Sequence, residues 1–310
     1  MQYSFRTRSV RMIVFLFLAA FFPACSGDDG SDNDVQARSV DSGSRASRPA
    51  GATALIIDHT ATDLDAIPGE WIREARESLC IAYGHTSHGS QVITGMSGLV
   101  NFRGGLYAFN AGGSGDALEL RDNPFAGARD LGDPSMTAWA EATRDYLDEH
   151  PDVNVVMWSW CNQVSTASAS DIATYLELMD SLEREYPDVV FIYMTGHLDG
   201  TGTGGNLHQR NEQIRRYCTG NKKVLYDFAD IETYDPDGTY YGSRYADGAC
   251  FYDSDGDGLK DANWAVEWQN SHEEGRDWYD CASAHSQPLN ANLKAYAAWW
   301  LWARLAGWDG

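Results

Sequence analysis

Tyr83-Gly84-His85-Thr86-Ser87-His88-Gly89-Ser90-Gln91 follows the apolar run Cys80-Ile81-Ala82-Tyr83 and precedes Val92 to Val100, a segment able to continue as a helix. The stretch therefore reads as a strand-to-helix turn. Glycines at 84 and 89 allow a sharp bend, and a helix start leaves backbone N–H groups free to meet an anion or a developing oxyanion. Ser87 stands between two histidines in that turn. A lone serine–histidine pair is ordinary in a polar loop, where the serine caps a helix. Matching turns at later strand ends point instead to chemistry.

Working outward, helix-like and strand-like segments alternate from residue 68. After the first strand, Cys80 to Tyr83, the sequence predicts strands over Leu106–Phe109, Val153–Trp158, Val189–Met194 and Lys223–Phe228. The helices between them include one capped by Ser170-Asp171, one over Asn206–Tyr217 and a final apolar one over Leu289–Leu305 whose tryptophans cover the sheet. Together these segments predict an α/β fold with a five-stranded parallel sheet and helices on both faces. Ligands in such sheets bind beyond the carboxyl ends of the strands. The polar clusters fall there: the serine turn, Asn110 to Gly115, Ser159-Trp160-Cys161-Asn162-Gln163 and Thr195-Gly196-His197-Leu198-Asp199-Gly200, with Asp280 to Ser286 before the last helix. His85, His88, His197 and His285, half of the eight histidines, lie in these loops.

Residues 1–24 read as a targeting segment: Arg6, Arg8 and Arg11 precede the apolar run Met12 to Phe22, which is shorter than the ~20 residues of a membrane-spanning helix. Pro23-Ala24-Cys25 resembles the end of a bacterial lipoprotein signal, which implies export and a lipid anchor at Cys25 as the only membrane attachment; plain secretion is the alternative. Residues 25–52 are Ser, Gly, Asp and Arg with little apolar content, a tether ahead of a domain over 53–310. The net charge of −22 would repel nucleic acid and anionic membrane surfaces. With Cys25 lipidated, five cysteines remain, so at least one is unpaired; Cys250 and Cys281 flank an irregular segment and could bridge.

Asp253-Ser254-Asp255-Gly256-Asp257-Gly258-Leu259-Lys260-Asp261 is the most specific short motif. Carboxylates at positions one, three, five and nine, glycine at six and the Leu259 carbonyl at seven supply the oxygens a hard cation needs. Trp264 occupies position twelve, where a bidentate Glu would complete a sensor loop. The sequence thus predicts structural Ca2+ at Asp253, Asp255, Asp257, Leu259 and Asp261, inside an acidic insertion over 231–279.

The order of these blocks resembles the SGNH hydrolases, flavodoxin-like three-layer esterases and carbohydrate deacetylases. That family carries a nucleophilic Ser after the first strand, a Gly after the second, an Asn after the third and an Asp-x-x-His before the last helix. Ser87, Gly112 or Gly113, Asn162 and His285 stand at the corresponding positions, and the resemblance covers about residues 78 to 305. Gly-Asp-Ser is replaced by Gly84-His85-Thr86-Ser87, similar to a divergent branch with a Gly-His-x-Ser-x-Gly turn, and Asp280 lies five residues before His285. The resemblance implies that His285 takes the Ser87 proton during attack on an acyl carbonyl, while the N–H groups of Ser87 and Gly112 or Gly113 and the Asn162 amide receive the oxyanion. Asp280 orients His285 or caps the helix; His85 and His197 are further site histidines. The implied substrate is an acylated carbohydrate or similar polyol ester. Two other readings stay open, a polysaccharide lyase using His197 or Tyr193 as base and a non-catalytic carbohydrate-binding module. The sequence leaves the oligomeric state open.

Overall fold

The computed structural model describes residues 53–310. The targeting segment at 1–24, Cys25 and the tether at 25–52 lie outside the described residues. No helix among the described residues is long and apolar enough to cross a membrane.

Four strands form where the apolar runs predict them: β2 (Cys80–Gly84), β5 (Val155–Trp158), β6 (Val190–Met194) and β7 (Val224–Tyr226). Nearly every residue in them is buried, as expected for strands covered on both faces. Three more strands bring the sheet to seven instead of the expected five: β1 (Leu55–Ile57), β3 (Phe109–Asn110) and β4 (Leu118–Asp122). Leu106 and Tyr107, expected in a strand, lie in a 3-10 turn. The strand that pairs with β2 on that side is β4, whose Leu118 and Leu120 face inward while Glu119 and Arg121 pair with each other on the opposite face.

All seven strands pair in parallel, in the order β1-β7-β6-β5-β2-β4-β3. Between the two outermost strands, β4-β2-β5-β6-β7 follows the doubly wound 2-1-3-4-5 order, which is compatible with a flavodoxin-like sandwich. Helices α1 (Gly69–Ser78), α2 (Ser90–Arg103) and α9 (Pro288–Leu305) pack together in one layer. A second group comprises α3 (Ala138–Glu149), the short α4 (Gln163–Thr166), α5 (Ala169–Glu185) and α6 (Asn206–Gly220). A reciprocal box between Ser168 and Asp171 starts α5, so the cap is Ser168 and not Ser170. The insertion holds α7 (Phe228–Ile231) at its entry, a hairpin of β8 (Phe251–Tyr252) and β9 (Ala262–Asn263), and α8 (Trp264–Ser271).

Of the α9 tryptophans, Trp299 and Trp302 are buried as expected, whereas Trp300 is only half-buried and donates its Nε1–H to the Asp63 carbonyl. The other half of this helix is different: Asn290, Asn292 and Lys294 are fully buried. Cys250 and Cys281 do not bridge, and all five described cysteines are free thiols. The Cys250 sulfur sits 3.4 Å from Ser286 Oγ, and burial pushes both thiols up to about 12.

Candidate active site

In a doubly wound sheet the crevice opens where strand order reverses, between β2 and β5 here, whose last residues Gly84 and Trp158 are register partners. The serine turn leaves one strand and the Ser159–Gln163 loop leaves the other. Neither Gly84 nor Gly89 has a positive φ; they are glycines because of close approach. A Cβ on Gly84 would meet the Trp158 ring at 2.3 Å, and one on Gly89 would meet Ser159 Oγ at 2.1 Å. Ser87 is the strained residue, with φ +33°. Its Oγ has no hydrogen-bond partner among the described residues, nor does its backbone N–H. Ser87 lines a cavity of about 430 Å³ together with Asn162, Gln163, Asp130 and Arg129. An adjoining cavity of about 320 Å³ shares Thr86 and Arg129 and is walled by His85, Phe125 and Trp158.

Asp130, which sequence reasoning passed over, latches the two loops. Its buried carboxylate accepts from Thr86 Oγ1 at 2.5 Å on the β2 side and from Gln163 Nε2 at 2.9 Å on the β5 side. The Gly132 N–H adds a third donor at 3.0 Å. A carboxylate accepting several hydrogen bonds is a rigid anchor, so the residue beside Ser87 is fixed from across the crevice.

The four loop histidines take four different positions. His85 is paired with a carboxylate: its Nε2 lies 2.6 Å from Asp122 Oδ1, its backbone N–H donates to Asn123 Oδ1, and its Nδ1 is buried without a partner among the described residues. Asp122 ends β4 and Asn123 follows it, so neither is legible as a site residue without that strand. His197 is buried, with Nδ1 2.9 Å from the Leu198 carbonyl and Nε2 2.8 Å from Asn162 Oδ1. That contact leaves the Asn162 amide nitrogen without a described partner. His88 stacks on His197 at 3.5 Å between ring centroids and against His285 at 4.9 Å. His285 is exposed, with φ +60°.

No family model matches this chain, and no curated protein does.

His285 is brought to the residue next to Ser87, but no hydrogen bond joins His285 to Ser87 among the described residues. Its loop is tied down on both sides: Gln91 Nε2 donates to the Ala284 carbonyl, and Asn290 Nδ2 donates to Ser286 Oγ at 2.7 Å. Asp280 is exposed and makes no hydrogen bond to a described residue, so His285 has no carboxylate partner among the described residues. Gly112 is also displaced. It follows β3, whose Asn110 pairs with Glu119, which in turn pairs with Cys80 at the start of β2. That is four residues below Gly84, or about 13 Å along the strand, so Gly112 and Gly113 lie toward the other end of the sheet from Ser87.

Burial, reinforced by His197, Lys294 and His285, pushes His88 down to about 2 from its usual 6.5. Between those values the unfolded chain binds the proton and the native one does not, so this group's contribution to stability falls as pH falls. The slope is at most about 1.4 kcal/mol per pH unit. From pH 6.5 to 4.5, urea unfolding of the native protein should therefore lose about 2–3 kcal/mol more than that of a His88→Gln variant. Equal losses would mean that His88 is not a buried neutral ring.

Behind the histidines lies a buried ion pair. Lys294 Nζ donates to Glu232 Oε2 at 2.7 Å and to Gln91 Oε1, and sits 3.8 Å from the Phe228 ring centroid. Both side chains are fully buried, and burial pushes the Lys294 ammonium down while Glu232 opposes that shift. Glu232 Oε1 accepts from the Leu198 N–H. One ammonium thus grips, through Glu232, the loop that carries His197 and, through Gln91, the loop that carries His285.

The acidic loop is formed. Asp253, Asp255 and Asp257 each offer an oxygen within 4.8 Å of the others. Asp261, expected as a ligand, stands outside this trio; its carboxylate accepts from the N–H of Ser254 at 3.0 Å and from its hydroxyl at 3.2 Å, while both oxygens of Asp253 accept from the Gly256 and Gly258 N–H groups.

Proposed function

We propose that this protein is an exported serine hydrolase that removes acyl groups from carbohydrate or a similar polyol ester, with an SGNH-type arrangement. The observation that carries this reading is Ser87: strained at the switch point, with an unpartnered hydroxyl and N–H, in a cavity it shares with Asn162. His285 is the general base, needing a side-chain adjustment of the kind that substrate binding supplies, since catalytic hydrogen bonds are often incomplete without substrate. Its two flanking residues are held by Gln91 and Asn290, so loop anchoring replaces the carboxylate of a triad. The oxyanion receives the Ser87 N–H and the Asn162 amide, which His197 orients; Gly112 takes no part. The lyase reading loses support because Tyr193 is buried with its hydroxyl pushed up by burial, and both ring nitrogens of His197 face protein oxygens. Incubating purified protein with acetylated xylan tests the proposal: acetate release that Ser87→Ala abolishes is expected. An unsaturated product from uronate polymers without acetate release would replace hydrolysis with elimination.

Calcium fits the acidic loop in part. Three convergent carboxylates, one of them buried Asp253, would hold it with the Leu259 carbonyl, and its charge would relieve their mutual repulsion. Chelator is expected to lower the Tm of the native protein and to leave that of an Asp255→Ala, Asp257→Ala variant unmoved, because linkage disappears with the site. The same chelator response in both proteins would dismiss calcium from this loop.

A further inference from the structure

The crevice at Ser87 has two lobes of different chemistry. The lobe of about 430 Å³ is polar, lined by Ser87 with Asp130, Asp133, Asn162, Gln163 and Thr166. The lobe of about 320 Å³ is walled instead by Phe125, Trp158 and Ala128, with His85 and Asn123 at its side. Thr86 and Arg129 line both, so the two lobes meet at the residue that precedes Ser87.

The aromatic wall of the smaller lobe is held in place. Trp158 is buried, and its Nε1–H donates to Thr143 Oγ1 at 2.9 Å. Half-buried Phe125 stacks on it with 4.3 Å between centroids and 25° between planes, and Tyr146 meets Phe125 edge-on at 5.1 Å. Gly84, whose missing Cβ admits the Trp158 ring, lines the same lobe. Beside this wall the polar atoms are engaged with each other: His85 Nε2 lies on Asp122, and Asn123 Oδ1 accepts from the His85 N–H. The smaller lobe thus offers aromatic surface, while the larger one keeps the unpartnered Asn162 amide.

An ester at Ser87 presents two halves of opposite character. When Ser87 Oγ bonds to the acyl carbon and the bond to the alcohol oxygen breaks, the serine proton leaves on that alcohol and the acyl half stays on the chain until water releases it. A polyol matches the polar lobe, where its hydroxyls keep hydrogen-bonding groups around them, and an apolar acyl group matches the aromatic one. Size narrows the acyl group. A volume of about 320 Å³ lies within the range of pockets that enclose small organic ligands, about 300–1,000 Å³, so an acetyl group would touch little of the wall. A planar ring gains offset or edge-on contact with the Phe125–Trp158 pair, which an alkyl chain does not. The Arg129 guanidinium at the shared rim, bonded to Asp133 at 3.1 Å, adds a planar cation suited to a π face.

We propose that the lobe walled by Phe125 and Trp158 receives a planar aromatic acyl group, of the benzoyl or cinnamoyl class, during turnover at Ser87. This rests on the hydrolase reading and narrows its acyl group.

Glycerol monoesters of acetate, octanoate, benzoate and cinnamate share one polyol leaving group, and titration of the released acid follows each. With kcat/KM divided by the alkaline hydrolysis rate of each ester, native protein should favour benzoate or cinnamate over both acetate and octanoate by at least about tenfold. Ala128→Leu, which fills the lobe, and Phe125→Ala, which removes its wall, should each lower the aromatic-to-acetate ratio by at least about tenfold, whereas Phe125→Tyr should keep it. A ratio is insensitive to any loss of folded protein. Preference for acetate or octanoate, or a ratio that either Ala128→Leu or Phe125→Ala leaves unmoved, would overturn the proposal. Failure to hydrolyse any ester would remove the hydrolase reading instead, and the neutral amide cinnamamide then decides on the lobe. Calorimetric titration should show it binding native protein, and Ala128→Leu at least about tenfold more weakly. No binding, or equal binding to both, would dismiss the lobe as an aromatic site.

Discussion

Replacing Lys294 with methionine should cost about 3–5 kcal/mol of folding stability, because the change strands Glu232 as an unpaired carboxylate with no exposure to water. The Coulombic gain within such a pair mostly offsets the desolvation of its two ends, so the pair itself adds little; the large cost comes from breaking it one-sidedly. A Lys294→Met, Glu232→Gln variant should therefore recover most of the loss, since a neutral amide can still accept from the Leu198 N–H. Urea unfolding of the three proteins at neutral pH reads the difference. A single variant that loses less than about 1 kcal/mol would show that Glu232 finds water or a proton, and that the pair does not clamp the two histidine loops.

This pair also shows where the sequence stops being legible. β2, β5, β6 and β7 announce themselves as apolar runs because parallel strands covered on both faces carry little else. β4 does not, since Glu119 and Arg121 interrupt it to satisfy each other and Asp152 on the less covered side. Without β4 as a landmark the second strand reads as Leu106–Phe109, which places Gly112 at the site and leaves Asp122 and Asn123 outside it. Lys294 is legible in one respect: it is the one charge ahead of Arg304 in the last helix, and a lysine set between Leu293 and Ala295 needs a buried partner. Which partner it finds depends on chain crossings that no local pattern encodes. The same holds for Asp130, one carboxylate in a polar stretch, whose role exists only once the loops after β2 and β5 lie side by side.

Ser87→Ala, His285→Ala and the double variant should all lose acyl transfer by at least about a thousandfold and to a similar level, because residues joined by one proton transfer fail together. Fold should be kept, as both side chains lie in rim loops and neither bonds to the buried network around Lys294. Asn162→Ala should lose about a hundredfold, the worth of one oxyanion donor. His197→Ala should approach that figure, and the Asn162→Ala, His197→Ala pair should be no worse than either alone, since His197 acts by holding the Asn162 amide at 2.8 Å. His85→Ala separates this arrangement from its nearest rival. With its Nε2 held by Asp122, it should cost far less than His285→Ala, and the reverse order would make His85 the base, Asp122 its carboxylate. A serine-directed phosphonate fixes the nucleophile independently: one covalent mass is expected at Ser87 in native protein and none in Ser87→Ala. Labelling at another residue, or no labelling while acyl groups are still released, would take Ser87 out of the reaction and leave its strained backbone as a feature of the turn alone.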